Sequence, residues 1–132
     1  MNSESIELKE LSVKIAFTAS GESLDSPLDS RFGRAPKFII YDTDTQAHTV
    51  IDNAQNLNAA QGAGIQSAET VARSGAQHLV TGHCGPKAFR VLAAAKVAVY
   101  TCNAATVREA LDRFIAGELK PAAAADVDGH WV

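Results

Sequence analysis

Five short apolar runs, unevenly spaced, restrict this chain to few folds. They are Lys14–Ala19, Lys37–Asp42, Ala47–Ile51, Gln77–Thr81 and Lys96–Thr101. Each has strand length and is bounded by Gly, Pro, Asn, Asp or Ser. Only Thr43-Asp44-Thr45 and Gln46 separate the second run from the third, so those two form a hairpin. Segments of helical period follow the third, fourth and fifth runs. Ile65, Ala68, Glu69, Ala72 and Arg73 fall at helical spacing, and Gly75 stops that helix. Pro86 suits the first turn of the next helix, which reaches about Ala95. Asn103 is expected to cap a third helix from Ala104 to Ile115, with Gly117 past its end.

The order is therefore β-β-β-α-β-α-β-α. A hairpin followed by two right-handed crossovers leads to a five-stranded mixed sheet with strand order 3-2-1-4-5. Only the second strand is antiparallel, and helices cover both faces. This α/β arrangement is the ribonuclease-H-like architecture. Residues 12–117 suffice for it as one domain, with 1–11 read as a flexible leader and 118–132 as a flexible tail.

Strand direction then gathers the irregular segments at one edge. Loops 20–36 and 53–64 and turns 82–86 and 102–104 all lie at the carboxyl ends of the first, third, fourth and fifth strands. The strand order reverses between the first and fourth, where open α/β sheets form a ligand crevice. Helix N-termini near Gly64, Pro86 and Ala104 point their free N–H groups there, which favours an anion. Gly62, Gly64, Gly82 and Gly85 allow close backbone approach. Ser20, Arg31, Phe32, Gly33, Arg34, Ala63 and Asn103 complete the candidate binding set. His83 and Cys84, at the mouth, are soft metal-ligand types. A turn cysteine such as Cys84 is often a small buried residue with no ligand role, and Cys102 reads as core. His48 and His78 lie away from this edge.

Composition excludes several classes. The net charge of -3 offers no field for a polyphosphate backbone, so no nucleic-acid partner is expected. No apolar run approaches the ~20 residues that span a bilayer, and Met1–Glu10 lacks the order of a signal peptide. A cytoplasmic location with two reduced thiols is the expectation. The first, fourth and fifth strands carry no Asp or Glu, so a metal-dependent nuclease on this fold lacks its ligands. Walker, dinucleotide-fingerprint and His-Glu-x-x-His motifs are missing.

Two stretches carry a resemblance. One is Asp29-Ser30-Arg31-Phe32-Gly33-Arg34-Ala35 followed by Phe38-Ile39-Ile40-Tyr41-Asp42. The other is Gly62-Ala63-Gly64-Ile65 followed by Gly75 through Thr81 and Gly82-His83-Cys84-Gly85-Pro86-Lys87-Ala88. Together, across roughly residues 12–117, they resemble the dinitrogenase iron–molybdenum cofactor biosynthesis (NifX-like) family. The resemblance implies a ribonuclease-H-like fold and a non-enzymatic role. It implies a carrier of an anionic metal–sulfur cluster, above all a noncovalently held molybdenum–copper sulfide cluster. The alternative cargo is a nitrogenase iron–molybdenum cofactor precursor. A partnership with cell-division ATPases, as carrier or as regulator, is implied by resemblance alone. Monomer and cluster-bridged dimer both remain open.

Overall fold

The computed structural model describes residues 13–54 and 62–122. Strands β1 (Lys14–Ala19), β2 (Lys37–Asp42), β3 (His48–Asp52), β4 (His78–Thr81) and β5 (Ala98–Thr101) form one sheet in the order β3-β2-β1-β4-β5. β2 runs antiparallel to β1 and β3, whereas β1, β4 and β5 are parallel. Helices α1 (Ala63–Arg73), α2 (Pro86–Ala94) and α3 (Val107–Ile115) and a 3-10 turn at Phe32–Arg34 are the other elements among the described residues. The expected fold class and strand order are those observed.

Strand alternation sorts the apolar residues into two cores. Ile15, Phe17, Ile39, Tyr41 and Val80 face α3 and its Val107, Ala110 and Leu111. Ala16, Phe38, Ile40, Leu79 and Val99 face α1 and α2, meeting Ala68, Val71, Ala88 and Leu92. A one-residue slip would exchange the faces of a whole strand, so burial on both sides fixes the register. The hairpin pairs Phe38 with Ile51 and Tyr41 with His48. The Asp42 carboxylate shapes its turn by accepting from the Asp44 and Thr45 amides at 2.8 and 3.3 Å.

Besides shifts of one or two residues at β3, β4 and the start of α1, the boundaries differ from expectation at three places. Lys96, at φ +64, still belongs to the exit of α2, because the Val97 amide donates back to Leu92 O at 2.9 Å. β5 therefore starts at Ala98. α3 starts at Val107 and is capped by Thr106, not by Asn103. Residues 118–122, read from sequence as the start of a loose tail, lie along β5. Leu119 packs on the α3-side core, and the Ala122 amide donates to Val99 O at 2.7 Å. The apolar Leu119 side chain and the open outer edge of β5 supply the reason. The remainder of the expected tail, and the leader, lie outside the described residues.

At the opposite end of the sheet from the glycine loops, His78 is half-buried against Tyr100 and Phe114. Its ring lies 5.2 Å from that of Phe114, and Nδ1 lies 3.1 Å from the Tyr100 hydroxyl. Desolvation pushes its pKa below the ordinary 6.5. The unfolded chain then binds more protons than the fold between that lowered value and 6.5, so stability rises with pH across this window. The contribution is complete above 6.5 and lost as pH falls through the folded value. The urea midpoint should drop on acidification from neutral pH through this window, and His78→Phe should flatten the drop. An equally steep profile in the variant would refute the assignment.

Candidate functional site

The loop 20–36 does not frame an open crevice; it fills one. The Asp29 amide donates to Thr18 O at 2.9 Å, and the Thr18 hydroxyl donates to Asp29 O at 2.7 Å. That hydroxyl also lies 3.0 Å from the hydroxyl of Thr81, in β4. Arg31 bridges to His83, with the Phe32 amide donating to His83 O at 3.1 Å. Gly82 backs directly onto Ser30: a Cβ there would stand 2.6 Å from the Ser30 Cα and carbonyl oxygen. The loop is thereby fastened across β1 and β4, and the carboxyl edge is divided into two cavities.

The first cavity, about 350 Å³, lies between Phe32-Gly33 and the N-termini of α1 and α2. Gly62, at φ +79, precedes α1, and Gly85 precedes α2; neither helix has a side-chain cap. The first intrahelical bonds are Gln66 N–H to Gly62 O and Phe89 N–H to Gly85 O. The earlier N–H groups of Gly64, Ile65, Lys87 and Ala88 have no acceptor inside their own helices. All four residues line the cavity, together with Pro86. Its walls are mostly apolar, and Lys87 adds a cationic side chain. Phe32 is buried beneath, 5.6 Å from the Phe38 ring. Gly33 packs so closely that a Cβ would meet Gly64 Cα at 3.1 Å. Buried Asn53 locks the arrangement, donating from Nδ2 to Ala35 O at 2.8 Å and to Ser67 Oγ, in α1, at 3.1 Å.

The third helix N-terminus is closed. The Val107 and Arg108 amides donate to Ser26 O and Leu24 O at 3.0 and 2.7 Å. The Glu109 amide donates to Thr106 Oγ1, and Glu109 Oε1 in turn accepts from the Ala105 amide, both at 3.1 Å. The first three amides of this helix, Val107, Arg108 and Glu109, are thereby all taken. Of three expected anion-facing helix ends, two remain available.

The second cavity, about 530 Å³, opens at the ends of β4 and β5 between Leu28, Ser30, His83 and Leu119. Arg113 from α3 enters it, held by Glu109 Oε2 and by Asn103 Oδ1 at 2.9 Å.

The predicted residues thus separate. Phe32, Gly33, Gly62, Gly64 and Gly85 line the first cavity; Gly82, His83 and Asn103 line the second. Ser20, Arg31 and Arg34 are exposed on the loop, Ala63 starts α1, and none of them lines either cavity. Cys84 does not stand at a mouth: it is 1% exposed, and its side chain is in the core with Leu79 and Ala88. Turn residues alternate in direction, and His83 takes the outward position. Cys102 is buried as expected, though it also borders the second cavity. Among the described residues no three His, Cys, Asp or Glu side chains are grouped to hold a metal ion. Lys87 and Arg113 escaped the sequence reading. Lys87 was visible in the motif ending Gly85-Pro86-Lys87-Ala88.

Comparisons with known proteins agree with this architecture. The family model described as dinitrogenase iron–molybdenum cofactor matches residues 12–117. The apo form of the orange protein from Desulfovibrio gigas superposes with a TM-score of 0.83 at 43% identity, covering 86% of this chain and 95% of that one. A Thermotoga protein of the DUF35 family gives 0.73 at 35% identity, covering 83% and 92%. An uncharacterized protein of Methanocaldococcus jannaschii is 30% identical over 96 residues, which is 70% of this chain and 80% of the relative. Similarity of this kind supports a cofactor-binding or carrier role. No helix among the described residues is long and apolar enough to cross a membrane. On the span of the family match, the chain belongs to the dinitrogenase iron–molybdenum cofactor family.

Proposed function

We propose that this protein is a carrier that holds an anionic metal–sulfur cluster noncovalently in the cavity between α1 and α2. The observation that carries the reading is the pair of helix N-termini with no side-chain caps, which point backbone donors into one apolar-walled cavity of about 350 Å³. Helix N-termini stabilise negative charge, and their N–H groups suit sulfide ligands already bound to metal. Apolar walls suit a large, polarisable and weakly hydrated anion. The core position of Cys84 fits a cluster held by shape and donors, without a thiolate bond. Likeness to the orange protein favours a molybdenum–copper sulfide cluster as cargo. Membership in the family makes an iron–molybdenum cofactor precursor the alternative, with the same sign of charge.

The test is reconstitution of the folded apo protein with tetrathiomolybdate and copper. Sulfide-to-metal charge-transfer bands should shift on binding. In an NMR titration the amides of Gly64, Ile65, Lys87 and Ala88 should move most. Cys84→Ala should retain the coloured complex while costing about 1 kcal/mol of stability. Loss of all colour in a folded Cys84→Ala protein would show a thiolate ligand. Perturbations confined to the hairpin turn at 43–47 would end the proposal.

A further inference from the structure

We propose that the second cavity, at the carboxyl ends of β4 and β5, binds a small organic carboxylate anchored by Arg113, independently of the cluster cavity. Its volume of about 530 Å³ lies within the range of small-molecule sites, roughly 300–1,000 Å³. The guanidinium is set in place before any ligand arrives. Nη2 donates to Glu109 Oε2, and Nη1 donates to Asn103 Oδ1 at 2.9 Å and to Cys102 Sγ at 3.8 Å. Those bonds use three of the five N–H groups of an arginine. The Nε–H and the second Nη2 hydrogen have no acceptor among the described residues, and the side chain is 34% exposed.

The neighbouring carboxylate does not fill this role itself. Glu109 spends Oε1 on the Ala105 amide and Oε2 on Arg113, so it orients the guanidinium from behind. Among the described residues no Asp or Glu lines the cavity. Ser30 and Thr101 are polar residues of the lining, and Leu28 and Leu119 are its apolar ones. A bare inorganic oxyanion would leave the apolar residues unused. An anion with a carboxylate head and an apolar body uses both sides, because a guanidinium fork matches a carboxylate. The two cavities are separated by the Gly82–Ser30 contact and the Arg31–His83 bridge, so they load separately.

Benzoate, benzyl alcohol and inorganic phosphate are the probes, titrated into the apo protein and followed by NMR. Benzoate should bind with Kd of about 1 mM or tighter, move the Thr101–Ala104 amides and the Arg113 Nε–H, and give contacts to the Leu28 and Leu119 methyls. Phosphate and benzyl alcohol should each bind at least about tenfold more weakly, since each lacks half of the ligand. Arg113→Gln should weaken benzoate about tenfold or more; Gly85→Asp, which disrupts the cluster cavity, should not. The ring-to-methyl contacts in the unaltered protein decide the matter if Arg113→Gln is unstable. The proposal is overturned if benzoate gives no saturable shifts or no Leu28 and Leu119 contacts. It is equally overturned if phosphate binds as well as benzoate, or if a folded Arg113→Gln protein binds benzoate unchanged.

Discussion

Gly82→Ala should destabilise the protein by about 3 kcal/mol or more and lower its melting temperature by roughly 10–20 °C. The new Cβ would stand 2.6 Å from both the Cα and the carbonyl oxygen of Ser30. These are backbone atoms, so no rotamer change relieves the clash. The loop must lift away from β4. Lifting it stretches the Phe32 N–H bond to His83 O and the Thr18 hydroxyl bond to Asp29 O, both of which close the carboxyl edge. It also loosens Leu28 and Phe32, which plug the two cores from above. Gly64→Ala is the matched control. A Cβ at Gly64 meets Ala88 Cβ at 3.6 Å, an ordinary contact, and the position is helical. Alanine there should change stability by less than about 1 kcal/mol, in the favourable direction. Urea unfolding of the two variants makes the comparison. Equal midpoints for both variants would show that the loop does not depend on close contact at Gly82.

The difference between these glycines marks where sequence reading stops. A glycine-rich edge was legible, because strand direction follows from a hairpin and two crossovers. Which glycines face a ligand and which face the protein was not. Gly82 serves Ser30, a distant residue in the chain, and no local pattern announces such a contact. The same loop explains the other departures. It occupies the reversal point where an open crevice was expected, and its Leu24 and Ser26 carbonyls accept from the Arg108 and Val107 amides at the start of α3. That fixes the helix start at Val107 and leaves Asn103 outside as a partner of Arg113. Here a local signal did exist. Thr106 with Glu109 three residues on is a capping box, stronger than a lone Asn103. For Cys84 the only signal was the general tendency of a free cysteine to be buried, since a tight turn sends successive side chains to opposite sides and only the packed core shows which is inward. The division into two cores follows from strand geometry once the strands are placed, because neighbours along β1, β2 and β4 face opposite sides of the sheet.

Gly85→Asp should abolish cluster binding while leaving the fold as stable as before, or slightly more so. Gly85 is the residue before α2, at φ −74 and ψ 168, which is the backbone conformation of a helix cap. An added Cβ meets nothing within 4 Å among the described residues. An aspartate there accepts from the N–H groups at the start of α2 and opposes the helix dipole favourably, a gain of a few tenths of a kcal/mol. The same change fills the first cavity's donor set and places a negative charge on its wall. At about 5 Å, with an effective dielectric constant near 20, each unit of charge on the cluster is repelled by about 3 kcal/mol. Affinity should fall about a hundredfold or more. Gly85→Asn takes the same amides without the charge and should lose only about tenfold, so the two variants separate donor loss from repulsion. Titration of the apo proteins with tetrathiomolybdate and copper, read by charge-transfer absorbance, measures both. A Gly85→Asp protein that is fully folded and binds as tightly as the unaltered chain would remove the α1–α2 cavity from consideration, because no anion could share that space with the new carboxylate at no cost.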